Sequence, residues 1–343
     1  MSRAIMKSLL AVAVLLAVAA AAQAAITIDV VPVGNTDNIA DTYTHSGNPA
    51  GQGAVSYPYN IGKYEVTAGQ YAAFLNAVAG VDRYGLYSTG MSNRMDGCGI
   101  AQTGGGTVGN PYAYTVDPDF VNRPVNFVSW GDAARFANWL ANGQPTGAQG
   151  LATTEDGSYY LNGATSREAL TGVTRKTGAT WFIPSEDEWY KAAYHKNDGN
   201  TANYFTYPTG SDTAPGRNMA DPSGNNANYY TPPNISPIDS GKYTTLVGEF
   251  QNSPSPYGTF DQGGNVFEWN EANLYGPWPA RRLLGGSFGD FLDYLASSSR
   301  SHYDPSSGNI LIGFRVASVP EPGSIALLLS GAVAGLIWWR RRK

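Results

Sequence analysis

Few residues in this 343-residue chain carry the chemistry for metal or nucleophilic work. Cys98 is the single cysteine, set in MDGCGIAQTGGG with no histidine nearby in sequence, so it reads as an incidental thiol. His45, His195 and His302 share no H-x3-H-x-E spacing, so they carry no signature of a facial metal set. Acidic residues are better placed. Glu186, Asp187 and Glu188 stand together. That suits paired carboxylates in acid–base catalysis, but it suits the first turn of a helix better, where the macrodipole favours acids. Asn225, Asn226, Asn228 and Asp239 are candidate oxygen ligands within one polar stretch. In Gly263–Trp269 (GGNVFEW), Glu268 lies among large aromatics. A carboxylate there requires a cation, an arginine such as Arg315 or Arg300, or backbone N–H groups. Gly104-Gly105-Gly106 is no phosphate loop, because no GK[ST] follows.

The elements that must position these residues alternate short strands with short helices. Ile26 to Val33 alternates and predicts an edge strand. Tyr59–Val66 reads as a strand running into a helix, with Thr67 as N-cap and Tyr71, Phe74, Leu75 and Val78 at helical spacing until Gly80. Arg123–Trp130 repeats the junction: Ser129 caps, Asp132 completes a capping box, and Ala133, Phe136, Ala137 and Leu140 form the buried stripe. Thr180–Trp189 is the third junction, with Ser185 and Glu188 as S-x-x-E. His195 ends that helix, where a protonated imidazole would favour the dipole. Val266 and Glu268 share one face of a strand, Phe267 and Trp269 the other. Three long stretches, residues 83–119, 143–178 and 197–250, show little core pattern and read as loops, where binding is usually carried. The 41 glycines, 21 prolines and 22 tyrosines agree with a loop-rich α+β domain.

Both ends read as addresses. Residues 1–25 combine Arg3 and Lys7, an apolar run from Leu9 to Ala22, and Ala22-Gln23-Ala24, the form of a secretory signal peptide. Residues 319–343 hold Pro320-Glu321-Pro322, then the 17 uncharged residues Gly323 to Trp339, then Arg340-Arg341-Arg342-Lys343. Seventeen is the lower limit for a membrane helix, and the basic end would stay cytoplasmic. Without these tails the chain keeps 16 Lys+Arg and 26 Asp+Glu, a net charge of −10. Such an acidic domain disfavours nucleic acid as a partner.

The C-terminal order of motif, helix and basic tail resembles the PEP-CTERM sorting signal of Gram-negative bacteria. The resemblance implies signal peptidase and an exosortase as partners during export, transient anchoring in the inner membrane, and a final place in the cell envelope or outside. Six ordered blocks from Tyr57 to Ser318 resemble the formylglycine-generating-enzyme, or sulfatase-modifying-factor, family: YNIGKYEVTAGQYAAFLNAV, RPVNFVSWGDAARFANWL, WFIPSEDEWYKAAY, GTFDQGGNVFEWNEA, RRLLGGSF and IGFRVAS. The domain set by that resemblance is residues 26–318, with a C-type-lectin-like α+β fold of little regular structure.

The family resemblance implies chemistry that this chain lacks. Relatives that generate formylglycine hold copper on two cysteines just after a GGS block like Gly285-Gly286-Ser287; from Gly285 to Arg315 there is no cysteine here. One thiol cannot build a two-thiolate copper site. A structural Ca²⁺ is implied at Asp261, Gly264, Val266 and Glu268, hard oxygen donors by side chain or carbonyl, and a second at Asn228, Tyr229 and Asp239. A chelator is then expected to lower the melting temperature. The family groove implies binding near Ser287, Asp290, Arg300 and His302, with peptide or polysaccharide as ligand. Eight tryptophans and 22 tyrosines would either line such a groove or fill a helix-poor core. Two functions stay open. One is a non-catalytic, exported binding or scaffold protein; the other is an enzyme with a divergent site, for which Ser287, Asp290, Asp293 and His302 are the first candidates.

Overall fold

A computed structural model describes residues 25–42, 51–232, 237–239 and 241–320. His45 and nearly all of the expected signal peptide (residues 1–25) and sorting segment (residues 319–343) lie outside the described residues. The first strand, β1 (Val30–Val33), is shorter than expected. The residues before it are held by a side chain instead, with the Ile26 N–H donating to Gln144 Oε1 at 2.7 Å. The second strand, β2 (Tyr59–Gly62), leads into α1 (Ala68–Val78), where Thr67 and Gln70 form the capping box. A hairpin of β3 (Ile100–Thr103) and β4 (Ala113–Val116) follows, then α2 (Trp130–Ala141), capped by Ser129 and Asp132. Next come α3 (Arg167–Thr171), β5 (Trp181–Phe182) and α4 (Glu186–Tyr194), the last capped by Ser185 and Glu188. The C-terminal part supplies β6 (Phe267–Leu274), β7 (Ala280–Leu284), β8 (Ser301–Tyr303), β9 (Ile312–Gly313) and β10 (Ala317–Ser318).

These strands form two four-stranded sheets besides the hairpin. One has the order β1-β2-β10-β5 with β1 at its edge, as its alternation predicts; the other has the order β8-β7-β6-β9. The stretch from Ile312 to Ser318 belongs to both. Gly313 pairs with Glu268 in the second sheet, and Ala317 pairs with Ile61 and Phe182 in the first. Arg315 therefore sits where the two sheets meet.

Aromatic side chains pack against one another through the centre of the core. Phe136 on α2 stands 5.3 Å from Phe74 on α1 and 5.4 Å from Phe314, both edge to face. Each such side chain contributes about 1.5–3 kcal/mol on burial. Helix α2 is buried from Trp130 to Leu140, not on one stripe alone, because the long loop over residues 143–178 covers its outer side. That covering is locked by Arg135 on α2 and Glu155 in the loop, a fully desolvated pair at 2.7 and 3.0 Å. Residues 83–119 likewise depart from a plain loop: they contain the hairpin, and Leu86, Met91, Cys98 and Ile100 are completely buried.

Candidate functional site

At the junction of the sheets, Glu268 accepts from both arms of the Arg315 fork, Nε and Nη2, at 2.6 Å each. Trp189 Nε1 donates to the same carboxylate at 2.7 Å. Neither side chain of the pair touches solvent. The Arg315 guanidinium also donates to the carbonyls of Gly62 and Phe260, each at 2.8 Å, so one cation ties β2, β6 and the 260s loop together. Of the partners open to Glu268 in the sequence, arginine is the one it has.

Two more carboxylates share this interior. Glu65 is 2 % exposed and accepts from Asn265 Nδ2 at 3.1 Å, while its Oε2 has no partner among the described residues. Asp261 accepts from the Gly248 N–H. Burial, reinforced by the charge of Asp261, pushes the Glu65 carboxyl well above the usual carboxylate range. Burial likewise pushes Asp261 up to about 6. Three carboxylates face one guanidinium, and burial with their mutual repulsion favours the protonated form of Glu65.

Several of the side chains expected as calcium ligands have other partners in the structure. Glu268 accepts with both oxygens from Arg315 and with one of them from Trp189 as well. Asp239 of the second set is ion-paired with Arg123. The Asn228 side chain donates to the Tyr243 carbonyl at 2.8 Å, and its own carbonyl accepts from the Asn265 N–H at 2.8 Å. The Tyr229 hydroxyl donates to the Pro215 carbonyl. No three His, Cys, Asp or Glu side chains among the described residues are grouped to hold a metal ion. Gly264 and Val266 serve packing: Val266 is 1 % exposed, and Gly264, at φ +83°, lies so close to Asn228 that a Cβ would sit 2.2 Å from its carbonyl oxygen.

The four groove residues separate into three places. Ser287 donates its hydroxyl to Asp290, whose carboxyl burial pushes upward, and the pair closes a tight turn. Arg300 is bound instead to Glu186 on α4, with its guanidinium 4.8 Å from the Tyr190 ring. His302 is exposed on β8 opposite Arg282 and lines a different hollow, with Arg167 and Trp278. The strand β8 is what turns it away. His195 also departs from expectation: burial lowers its pKa, so the imidazole at the end of α4 is neutral at pH 7 and its Nδ1 pairs with the Tyr257 hydroxyl at 2.8 Å.

Cys98 is fully buried, and burial pushes its thiol up to about 12, which removes the thiolate that reactivity requires. The acidic trio at the start of α4 is structural. Glu188 is gripped by Arg175 at 2.7 and 2.9 Å, Glu186 meets Arg300, and Asp187 accepts the Gly53 N–H at 2.8 Å. Arg175 carries no mark in the sequence, yet it joins Glu188 to Glu271 at 2.6 Å and lies 3.6 Å from the Phe182 ring.

Residues 17–319 match the model of the sulfatase-modifying factor enzyme 1-like domain. Among solved structures, the chain resembles the crystal structure of CarF with a TM-score of 0.53 and 24 % identity, covering 86 % of this chain and 99 % of that one. It resembles Treponema denticola variable protein 1 with a TM-score of 0.52 and 20 % identity over 86 % and 96 % of the two chains. At these identities the likeness establishes the fold. No curated protein sequence matches the chain.

Proposed function

The chain belongs to the sulfatase-modifying factor enzyme 1-like domain family, and from that premise we propose that it is a non-catalytic member, a binding protein exported to the cell envelope or beyond. One observation carries the reading: the only thiol of the chain is sealed in the core, its pKa pushed up to about 12, while the turn after the GGS block offers Ser287 and Asp290 instead. Copper-dependent oxidation of a substrate cysteine requires soft sulfur ligands at the groove, and a buried neutral thiol supplies none. The export half of the proposal rests on the signal-peptide pattern at residues 1–25 and the Pro-Glu-Pro, apolar, basic order of residues 319–343. Among the described residues no helix is long and apolar enough to cross a membrane.

The alternative, an enzyme with a divergent site, draws on one contact, the Ser287–Asp290 hydrogen bond. A serine next to a carboxylate is a weak nucleophile without an imidazole, and His302 stands in another hollow. The test is incubation of the purified domain with Cu(I), oxygen and a cysteine-bearing sulfatase-motif peptide, read by mass spectrometry. The binding-protein reading predicts no aldehyde; formylglycine on the peptide would overturn it.

A further inference from the structure

The turn joining β6 to β7, Tyr275-Gly276-Pro277-Trp278-Pro279, carries the two most exposed large aromatics among the described residues. Trp278 is 78 % and Tyr275 82 % exposed, whereas Trp130, Trp189 and Trp269 are at 0 %. Pro277 and Pro279 restrict the backbone on either side of the indole, which reduces the backbone freedom lost on binding. Beneath it lies a hollow of about 410 Å³ whose walls include Arg167, Trp278, His302, Tyr303, Asp304 and Ser307. Arg167 Nε is held by Asp304 at 2.9 Å, and its guanidinium stands 5.7 Å from the Trp278 ring. Arg282 is in register with His302 across β7 and β8, and among the described residues it makes no ion pair. Against a chain of net charge −5, Arg167 is balanced by Asp304 and the positive charge left over in this patch is that of Arg282.

The geometry points to a site for an acidic polysaccharide: a uronate-bearing pyranose ring stacks on Trp278 while Arg282 and His302 meet its carboxylate. A pyranose has an apolar C–H face that packs on the π-face of an indole, and a rim of hydroxyls that suits Ser307 and the Arg167–Asp304 fork. The locally positive charge on an acidic protein selects an anionic chain over a neutral one. A nucleic acid would meet net negative charge over the rest of the surface. A peptide adding to the sheet edge would find only three residues of β8, Ser301–Tyr303, to pair with. The inference rests on the binding-protein reading and names the ligand class.

The full-length protein is titrated with oligogalacturonate and, in parallel, with a neutral glucan oligomer and poly-glutamate, following tryptophan fluorescence and calorimetry. The expected result is binding of oligogalacturonate at least tenfold tighter than of either control. Trp278→Ala should weaken it at least tenfold, and Arg282→Gln several-fold with a flatter salt dependence. Trp278 is exposed and Arg282 half-buried, and an unchanged thermal melt of each variant confirms that the fold is intact. Equal binding of poly-glutamate, undiminished binding by Trp278→Ala, or no binding at millimolar oligosaccharide would each overturn the proposal. None of these results produces aldehyde on a peptide, so the non-catalytic reading stands or falls separately.

Discussion

Replacing Glu268 by glutamine asks whether the centre of the domain is an ion pair or a calcium site. In the native protein the carboxylate receives two Arg315 donors at 2.6 Å and Trp189 Nε1 at 2.7 Å, with no exposure to water. Glutamine has nearly the same shape but keeps one oxygen; its NH₂ group is turned against an Arg315 donor. The guanidinium remains charged, buried and only partly compensated by the Gly62 and Phe260 carbonyls. Breaking one partner of a buried pair costs about 3–5 kcal/mol. At roughly 2 °C or more per kcal/mol in a domain this large, the melt should fall by about 6–15 °C. Differential scanning calorimetry with and without EDTA reads both effects. Because Arg315 holds the site, EDTA should leave the native melt in place and Glu268→Gln should lower it. A melt lowered by EDTA and restored by Ca²⁺, or a Glu268→Gln variant within about 1 kcal/mol of native, would refute the reasoning.

The remaining predictions concern the same interior. Asp261 and Asp132 both have folded pKa values pushed up to about 6 by burial, above their unfolded values, so they bind protons more tightly when folded. Lowering pH from 8 to 5 should therefore stabilise the domain, by about 1 kcal/mol for each group. His195, whose pKa burial lowers, opposes this as pH falls through the unfolded histidine range. Against the upward push of burial, Arg175 holds Glu188 below the usual range, so its stabilisation is lost only under more acid conditions. Urea denaturation at pH 5 and pH 8 checks the sign; Glu65→Gln with Asp261→Asn should flatten the rise. Gly264→Ala forces a Cβ against the Asn228 backbone at positive φ and should destabilise by several kcal/mol, seen as a collapse of soluble yield or melt.

Local signals made three of the four described α-helices legible; α3 (Arg167–Thr171), capped by Ser166, lies inside the stretch 143–178 expected as loop. Thr67, Ser129 and Ser185, each followed three residues later by Gln, Asp or Glu, mark three helix starts, and all three boxes are formed. The hairpin of residues 100–116 was hidden because its glycines and threonines give no apolar alternation; it is tied to α1 by Asn76, whose amide bonds the Tyr114 backbone at 2.8 and 3.0 Å. Long-range pairing was the less readable part. Arg315 could be named as one of two arginines for Glu268, but nothing near Asp239 in sequence announces Arg123, 116 positions away. The groove misled for a related reason. Ser287 and His302 are fifteen residues apart, yet Ser287 sits in a turn and His302 on strand β8, and chain distance says nothing about which side of a sheet a residue faces. Trp278 was one aromatic among many; only its exposure separates it from the core-filling set.

The central claim, that this family frame works without redox sulfur, is tested most directly by titrating the purified protein with Cu(I) against a chromogenic chelator while oxygen uptake is recorded. The account predicts that the chelator keeps the copper and that oxygen consumption with a thiol peptide stays at the protein-free rate. Stoichiometric removal of Cu(I) from the chelator, accompanied by oxygen uptake above that rate, would contradict it.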